Sequence, residues 1–159
     1  MKITIIGVGK IKEAYFRDAL AEYSKRLSKY CKFQIIEVTD EECPENASEA
    51  EEQQVKDREG ERILKKIPGG AHVIALAIDG KKTDSVGFSK EMERIFVSGK
   101  NEICFIIGGS IGLSKIVLDA SNQKLSFSDM TFPHQLMRVI LSEQIYRAFR
   151  IMNHEPYHK

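Results

Sequence analysis

The hydrophobic positions along this chain follow two different periods. Short runs that are apolar almost throughout, such as Lys2–Val8, predict buried strands, whereas apolar residues that recur every three or four positions, as in Glu13–Tyr30, predict helices. The two patterns alternate along the whole chain, without an internal repeat. Five strands are predicted, at Lys2–Val8, Phe33–Val38, His72–Ala77, Ile103–Ile107 and Lys124–Phe127.

This alternation predicts an α/β fold. A mostly parallel sheet of about five strands should carry helices on both of its faces. The chain has 159 residues, a length typical of one domain, so residues 1–159 are expected to form a single unit with one core.

The segments between the predicted strands hold helix starts and turns. Ser48-x-x-Glu51 is a capping box, which begins a helix that runs to about Lys66. The many polar residues of this helix, Glu59 among them, predict that it faces solvent. Asp79–Lys82 (Asp-Gly-Lys-Lys) predicts a turn after the third strand, and Phe88–Val97 predicts an amphipathic helix.

The last predicted helix, Pro133–Met152, is unusually apolar. Eleven of the seventeen residues from Leu136 to Met152 are apolar, although one core-facing stripe needs only about three or four in seven. The helix is therefore expected to be buried on more than one side, either within the core or against a second subunit. Arg138 and Arg147 interrupt it. Because a buried arginine requires a partner, they mark either a polar edge or a site.

Composition and charge narrow the class of protein. Hydrophobic residues make up 42% and charged residues 30% of the chain, as in ordinary soluble globular proteins. The net charge of +1 gives no bulk electrostatic case for nucleic acid, but the segment 10–32 is basic and can form a local patch. Cys31, Cys43 and Cys104 lack the spacing of a disulfide framework or zinc site. With no signal peptide, a reducing cytoplasm is the expected compartment.

Two strand ends near the C terminus open into loops that are typical of a small-molecule site. Ile103–Ile107 runs into Gly108-Gly109, with Gly112 beyond, and these glycines allow a tight turn and close approach of the backbone to a ligand. Lys124–Phe127 opens into the polar loop Ser128–Thr131 ahead of the long helix. Taken alone, the glycines are explained equally well by a tight turn without a ligand.

Other classes of site have little support in the sequence. Gly7-Val8-Gly9 follows a strand as in a dinucleotide fingerprint, but Lys12 stands where the third glycine belongs, so a dinucleotide-binding enzyme is disfavoured. Pro156 keeps His154 and His158 off one helical turn, which leaves no ligand spacing for a metal. The chain also lacks a G-x-S-x-G nucleophile elbow.

Several ordered motifs in the last third resemble one known family. They are Gly108-Gly109-x-x-Gly112-Leu113-Ser114, Leu125-Ser126, Thr131-Phe132-Pro133-His134-x-Leu136-x-Arg138-Val139, Glu143-Gln144-x-Tyr146-Arg147-Ala148 and the terminal Pro156-Tyr157-His158-Lys159. On these residues the chain resembles the ribosomal RNA large-subunit methyltransferase H family, which belongs to the SPOUT (trefoil-knotted α/β) methyltransferases. The resemblance extends over the whole length.

The resemblance implies a fold and a reaction that spacing alone does not show. Residues 103–152 would form a knotted cofactor site within a homodimer. The enzyme would use S-adenosyl-L-methionine to methylate N3 of a pseudouridine in helix 69 of 23S ribosomal RNA, within the assembled ribosome. Carried over by position, the cofactor site comprises Leu76, Gly108, Phe127, Ser128, Asp129, Met130, Thr131 and Phe132.

The implied chemistry needs alignment of methyl donor and acceptor and removal of the N3 proton. A neutral histidine, or an arginine that stabilises the developing anion, suits that task. We expect Tyr157 and His158 to be catalytic, with Arg138 and Arg147 in support. Tyr157 could stack on a target base that leaves its helix. We expect five basic residues to contact RNA phosphates: Lys10, Lys12, Arg17, Lys25 and Arg26.

One position departs from the family pattern. Many relatives have Pro-Glu between the second and third glycines, where this chain has Ser110-Ile111. An acid at that point therefore has no part in the mechanism here. The alternative hypothesis is a non-catalytic ribosome-binding protein on the same scaffold, and binding of S-adenosyl-L-methionine separates the two.

Overall fold

A computed structural model describes residues 1–159, and strands alternate with helices along the entire chain. Every predicted strand and helix is present, and apart from the third strand their ends differ by only a few residues, as is usual for element boundaries. The elements are β1 (Lys2–Val8), α1 (Ala14–Leu27), β2 (Lys32–Val38), α2 (Glu49–Leu64), β3 (His72–Lys82), α3 (Ser85–Val97), β4 (Glu102–Ile107), α4 (Lys115–Ala120), β5 (Gln123–Ser126) and α5 (His134–Met152).

The five strands form one parallel sheet in the order β2-β1-β4-β3-β5. β4 is central, and its Cys104 is paired with Thr4 of β1 on one side and Val73 of β3 on the other. Such inner strands are covered on both faces and paired on both edges, which explains why β1 and β4 are nearly continuous apolar runs. The carboxyl ends of β3, β4 and β5 meet at one end of this sheet, where α/β proteins bind ligands.

Helices cover both faces of the sheet, so the predicted α/β architecture is confirmed. Side chains alternate between the two faces along each strand. On one face Ile5 and Phe105 pack with α1, α3 and α5 in the larger core. On the other face Ile6 and Ile106 pack with α2 and α4 in a smaller core. None of the helices combines the length and apolar character that crossing a membrane requires.

The third strand is longer than the sequence pattern indicates, and the predicted turn at Asp79–Lys82 is wrong. Both Leu76 and Lys81 pair with Leu125 of β5, so the residues between them form an irregularity within the strand. The Asp-Gly signal therefore marks a bulge, where an extra loop of chain bends the strand, rather than the end of the strand. Gly80 lies here against the β5 backbone, which leaves no room for a side chain.

The acidic helix α2 begins at the predicted capping box but is not wholly solvent-facing. The Ser48 side chain accepts a hydrogen bond from the Glu51 N–H at 3.2 Å, and the Glu51 carboxylate accepts from the Ser48 N–H at 2.7 Å. Glu59, expected on the solvent side, is only 4% exposed. It is buried because α2 turns this side chain toward the end of β1 and the glycine loop after β4.

Helix α5 is buried or half-buried along its whole length. No residue from His134 to Met152 is exposed, and its most buried face, including Leu141 and Phe149, belongs to the larger core with α1 and α3. The prediction that this helix is buried on more than one side is confirmed. The core accounts for most of its apolar excess, and a half-buried face remains.

Replacing Gly80 with alanine is expected to lower the free energy of unfolding by about 1–3 kcal/mol, the usual cost of overpacking. A Cβ at this position would lie 2.7 Å from the backbone N and C atoms of Leu125, and a paired strand cannot move aside. Chemical denaturation followed by circular dichroism measures the change. Gly69→Ala is the matched control, because a Cβ there meets nothing within 4 Å. Equal unfolding midpoints for the two variants would contradict the prediction.

Candidate functional site

A cavity of about 600 Å³ opens where the carboxyl ends of β3, β4 and β5 meet. Its volume lies within the range of about 300–1,000 Å³ that is usual for small-molecule sites. Its walls are formed by the irregular part of β3 (residues 76–79) and by the chain at and beyond the ends of β4 and β5 (residues 107–113 and 125–132). Leu118 of α4 and His134 and Met137 of α5 complete the lining. The motif residues that are far apart in sequence are therefore brought to one place.

The cavity gathers nearly all of the predicted cofactor residues. Asp129 is the exception: its carboxylate is exposed and lies 2.6 Å from Nζ of Lys82. The loop around it is held by hydrogen bonds in which the Ser128 hydroxyl accepts from the Met130 N–H at 3.0 Å and the Ser126 hydroxyl donates to the Ser128 carbonyl at 3.2 Å. The predicted residues that line the cavity are Leu76, Gly108, Phe127, Ser128, Met130, Thr131 and Phe132.

The glycine loop after β4 is folded back on itself so tightly that a side chain does not fit at Gly108. Gly109 and Gly112 form an isolated antiparallel bridge, and the Gly112 N–H donates to the Gly109 carbonyl at 3.1 Å. A Cβ on Gly108 would lie 2.9 Å from the carbonyl carbon of Gly112. Gly112 itself has φ +85°, which glycine adopts without strain. The backbone of the three glycines is thus open to the cavity between the side chains of Ser110, Ile111 and Leu113, and the explanation by a ligand is favoured over an empty turn.

Large apolar side chains stand exposed at the cavity rim. Ile78, Met130 and Phe132 are 56%, 76% and 37% exposed, and all three belong to the lining. Exposed apolar groups gathered around a concave surface mark a binding site. They offer cover for a flat, partly apolar ligand such as a nucleoside.

The cavity contains only two ionisable side chains, Asp79 and His134, and no lysine or arginine. Asp79 is paired with Lys124 at 3.2 Å. Burial lowers the pKa of His134, and the nearby Arg138 guanidinium lowers it further, while Asp40 acts in the opposite direction. A pocket without cationic side chains does not suit a polyphosphate, but it does suit a cationic sulfonium.

These features fit the cofactor that the resemblance implies. S-adenosyl-L-methionine needs room for a bent nucleoside and amino acid, close backbone approach and no opposing positive charge. The cavity volume, the three glycines in its wall and the absence of lysine and arginine from the lining meet those needs. The residues present therefore fit the group.

Arg138, predicted to support catalysis, lies beneath the cavity lining rather than in it. Its side chain is fully buried, and Nη2 donates to the carbonyl oxygens of Val8 at 2.6 Å and Gly9 at 2.9 Å. Nη1 lies 3.6 Å from the Glu37 carboxylate. A Cβ on Gly7 would lie 2.4 Å from Nε of Arg138, so glycine is needed for this packing. The guanidinium joins the start of α5 to the end of β1.

The other three predicted catalytic residues are brought together by a carboxylate that sequence reasoning did not single out. Glu143 accepts hydrogen bonds from Arg147 at 2.6 and 3.1 Å and from the Tyr157 hydroxyl at 3.1 Å. The Arg147 guanidinium lies 4.7 Å from the Tyr157 ring centroid and 3.2 Å from Nδ1 of His158. The spacing of Glu143 and Arg147, one helical turn apart, was the available signal. We call Glu143, Arg147, Tyr157 and His158 the tail cluster.

The C-terminal tail is fixed to the body of the protein. Glu155 pairs with Lys29 at 3.1 Å and Arg150 at 2.9 Å, and accepts from the Tyr30 hydroxyl at 2.5 Å. Burial and the neighbouring Glu143 raise the pKa of Tyr157, so its hydroxyl stays protonated and able to donate. The tail cluster is therefore an ordered group rather than a frayed end.

The tail cluster and the cavity occupy different parts of α5. Met137 lines the cavity, and Arg147 is ten residues further along the helix, about 15 Å at the usual rise per residue. None of the tail residues lines the cavity of its own chain. The structure thus unites three of the four predicted catalytic residues with one another and not with the cofactor cavity.

Of the residues expected to contact RNA, the two arginines already have partners. Arg17 donates to the backbone carbonyls of Lys12 at 2.6 Å and Ile11 at 3.3 Å, and Arg26 pairs with Glu22 at 2.9 Å. Lys10 and Lys12 lie in the loop between β1 and α1, and the Lys12 N–H donates to the side chain of Gln135 beside the cavity wall. The loop lysines are thus the ones nearest the cavity.

Glu59 is a second buried acid that the sequence did not reveal. Its Oε2 accepts from the Glu41 N–H at 3.0 Å, while Oε1 has no hydrogen-bond partner. A Cβ on Gly109 would lie 3.3 Å from Oε1, so this carboxyl lies directly behind the glycine loop. Burial raises its pKa above the ordinary value. The signal that could have found it is the single glycine after it, Gly60, which lets α2 approach the Ser114 hydroxyl.

Comparisons with known proteins agree on one family. A family model described as a SPOUT methyltransferase matches residues 1–158. The chain is 58% identical to the ribosomal RNA large subunit methyltransferase H of Clostridium tetani and to that of Exiguobacterium sibiricum, in each case over 100% of both chains. It is 57% identical to the protein of the same description from Listeria monocytogenes, also over both full lengths.

One solved structure extends the likeness to the fold. A methyltransferase structure from Legionella pneumophila in complex with the cofactor SAM superposes with a TM-score of 0.50 and covers 96% of this chain and 66% of its own. The sequences are 10% identical, so this match concerns the fold alone.

Glu59→Gln is expected to stabilise the protein more as pH rises. Because the folded-state pKa of Glu59 lies above the ordinary 4.5, the native state binds more protons than the unfolded state. The contribution of Glu59 protonation to the free energy of unfolding is thus fully present below about pH 4.5, and it is lost as the pH rises through the folded-state pKa. Glutamine keeps the acceptor for the Glu41 N–H and carries no charge.

Thermal unfolding at about pH 5 and about pH 8 tests this, with the larger gain over wild type expected at the higher pH. Glu61→Gln, two residues on and exposed, is the matched control and should give a difference that does not vary with pH. The prediction would be wrong if both variants shifted the melting temperature alike at the two pH values.

Proposed function

This chain belongs to the ribosomal RNA large subunit methyltransferase H family, and we propose from that premise that it methylates N3 of a pseudouridine in helix 69 of 23S ribosomal RNA. It has the SPOUT fold, the trefoil-knotted α/β fold of that family, and it is an S-adenosyl-L-methionine-dependent ribosomal RNA methyltransferase. The base, the atom and the assembled ribosome as substrate are our proposal.

The observation that carries this proposal is identity at more than half of all positions over the full length of the curated relatives. The glycine motif after β4, Leu125-Ser126 and Thr131-Phe132 with His134 converge on one cavity. We propose that residues 1–159 act as one catalytic unit, with 103–152 forming most of the cofactor site, and that the enzyme works in the cytoplasm, where ribosomes are found.

The cofactor supplies a methyl group on a positively charged sulfur. The residues that would hold it are Leu76, Gly108 and the loop from Phe127 to Phe132, whose backbone and apolar side chains surround the cavity. The apolar lining excludes water, which strengthens polar contacts within it. Asp129 would act from outside, by holding the loop through Lys82.

We propose that the protein acts as a homodimer in which the tail cluster of one subunit serves the cavity of the other. Leu136, Ile140, Glu143, Arg147 and Ile151 share one half-buried face of α5. A second cavity of about 320 Å³ between this face and α3 is lined by Ile140 and Gln144 and shares Leu125, Ser126 and Phe127 with the first. A partner on this face would therefore lie beside the cofactor cavity.

Each catalytic candidate would have a role that its contacts suit. Tyr157 would stack on the flipped target base while its hydroxyl donates to Glu143, which holds the ring in place. Arg147 would stabilise the anion that develops when N3 loses its proton. His158, held by Arg147, would contact the base, and Arg138 would position the start of α5. Lys10 and Lys12, with Arg17, Lys25 and Arg26, would contact phosphates of the RNA.

The reaction itself is tested by mass mapping of ribosomal RNA from a strain without this gene. Loss of the methylpseudouridine signal, and its return when purified protein and S-adenosyl-L-methionine are added to those ribosomes, is the expected result. Calorimetric titration of the protein with S-adenosyl-L-methionine tests cofactor binding separately. No binding at millimolar cofactor would favour a non-catalytic ribosome-binding protein.

Two inactive variants are expected to restore each other when they share a dimer. A chain with Gly108→Ala has a defective cavity and an intact tail, and a chain with Tyr157→Ala and His158→Ala has the reverse. Coexpression with two affinity tags yields mixed dimers, each with one complete composite site. Random pairing should recover about a quarter of the wild-type rate, because half of the dimers are mixed and each has one working site. No recovery in purified mixed dimers would place the tail in its own chain's site.

Ile140→Glu is expected to convert the protein to a monomer, because it buries a charge in the proposed contact face. Analytical ultracentrifugation measures the mass. Val97→Glu is the matched control, because this valine is 82% exposed at the end of α3, and it should leave the dimer intact. A wild-type monomer at micromolar concentration would overturn the proposal.

A further inference from the structure

One histidine stands in the cavity wall without an assigned role. Of the two ionisable side chains in the lining, Asp79 is already neutralised by Lys124, so His134 is the only unpaired group that can accept a proton near neutral pH. It is the first residue of α5 and adjoins the rim residue Phe132. The remaining polar lining consists of backbone and of serine and threonine hydroxyls, which are poor bases.

The charged groups around His134 hold it in the neutral form and offer a partner for the charged form. A Cβ on Gly9 would lie 3.8 Å from Nε2 of His134 and 3.8 Å from Cγ of Asp40, so both side chains lie close to Gly9 at the end of β1. Burial, Arg138 and Lys12 lower the pKa of His134, whereas Asp40 raises it. The N-terminal position on α5 also disfavours a positive ring. A neutral imidazole that can pair with a carboxylate once protonated suits a general base.

The tail histidine is arranged differently. Nδ1 of His158 lies 3.2 Å from the Arg147 guanidinium, which can only donate. Nδ1 is therefore the acceptor, and the neutral ring carries its proton on Nε2. In this arrangement His158 offers a target base a donor and has no free acceptor nitrogen. Its geometry suits hydrogen bonding to a carbonyl oxygen of the base rather than removal of a proton.

We propose that His134 is the general base of the reaction and removes the proton from the target nitrogen. This inference rests on the proposed function. The N3–H bond breaks and its proton passes to a ring nitrogen of His134, whose positive charge Asp40 then stabilises. The freed electron pair on N3 forms the new bond to the methyl carbon, and the methyl–sulfur bond breaks with its electrons passing to sulfur. The imidazolium afterwards returns its proton to solvent.

His134→Gln tests this, because glutamine can form hydrogen bonds but cannot take up the proton. Single-turnover methyl transfer to ribosomes that lack the modification should slow by about 10²-fold or more, whereas the dissociation constant for S-adenosyl-L-methionine by calorimetry should change by less than about twofold. The wild-type rate should rise with pH through a pKa below the ordinary histidine value of 6.5, and this rise should be absent from His134→Gln.

A readout without turnover accompanies the kinetics. Histidine nuclear magnetic resonance of the wild-type protein should give a His134 pKa that matches the kinetic one and that falls further in Asp40→Asn, which removes the carboxylate. His154→Asn is the control for histidine loss. This residue is exposed with φ 54°, which asparagine tolerates, and its replacement should leave rate and pH profile unchanged.

Three results would overturn the proposal. A parallel loss of cofactor affinity in His134→Gln would make this residue a cofactor ligand. If the rate still rises with pH in His134→Gln but no longer does so in His158→Ala, then the tail residue His158 removes the proton. An unfolded His134→Gln, seen by circular dichroism, moves the test to His134→Asn, and a wild-type rate in that variant would exclude the role. Failure of the wild-type enzyme to methylate the ribosomes would instead refute the proposed function.

Discussion

The buried guanidinium of Arg138 determines where α5 begins, and both halves of the site depend on that helix. Its hydrogen bonds to the Val8 and Gly9 carbonyls attach the helix to the end of β1. The packing leaves Nε and Nη1 without hydrogen bonds and requires glycine at position 7. Burying an arginine completely costs free energy. We therefore interpret this contact as one that fixes the position of α5 relative to β1. It sets the position of His134, one turn earlier on the same face.

Because the start of α5 is fixed, the positions of its later turns are fixed as well. The first turn of α5 lines the cofactor cavity, its middle fills the larger core, and its later turns carry Glu143 and Arg147 to the tail. Because the helix is rigid, about 15 Å separate the cavity from the tail cluster. A single chain therefore holds the cavity and the tail cluster apart. In the homodimer that we propose, a second copy on the half-buried face of α5 would bring the two together.

Polar groups buried near the cavity have a cost in stability. Glu59 lies behind the glycine loop with one oxygen unpaired, and Ser114, at the start of α4, also lacks a partner. Both lie where α2 approaches the loop from the far face of the sheet. Unsatisfied buried groups are uncommon and concentrate where function constrains the chain. The stability of this region is supplied instead by the apolar strands β1 and β4 beneath it.

Features that depend on neighbouring residues could be predicted from the sequence, whereas features that depend on contacts between distant segments could not. Strand and helix positions and the capping box at Ser48 come from local pattern, and the structure confirms them. The motif residues predicted for the cofactor do line one cavity, apart from Asp129. The bulge at Asp79–Lys82 was mistaken for a turn, because the pairing of both Leu76 and Lys81 with Leu125 cannot be read from the strand itself. Glu59 was assigned to solvent because its neighbours on α2 are polar.

The sequence by itself determined the class of fold, the family and many of the residues that line the cavity. These depend on periodicity and on ordered motifs, which are properties of the chain read in one dimension. The tertiary structure alone decided the strand order β2-β1-β4-β3-β5, the burial of Arg138 and the separation of the tail cluster from the cavity. Only the structure shows that His134, which follows a proline in the sequence, lies in the cavity wall as an ionisable side chain without an ion-pair partner. These features depend on which segments that are distant in sequence contact one another, and local sequence patterns do not specify such contacts.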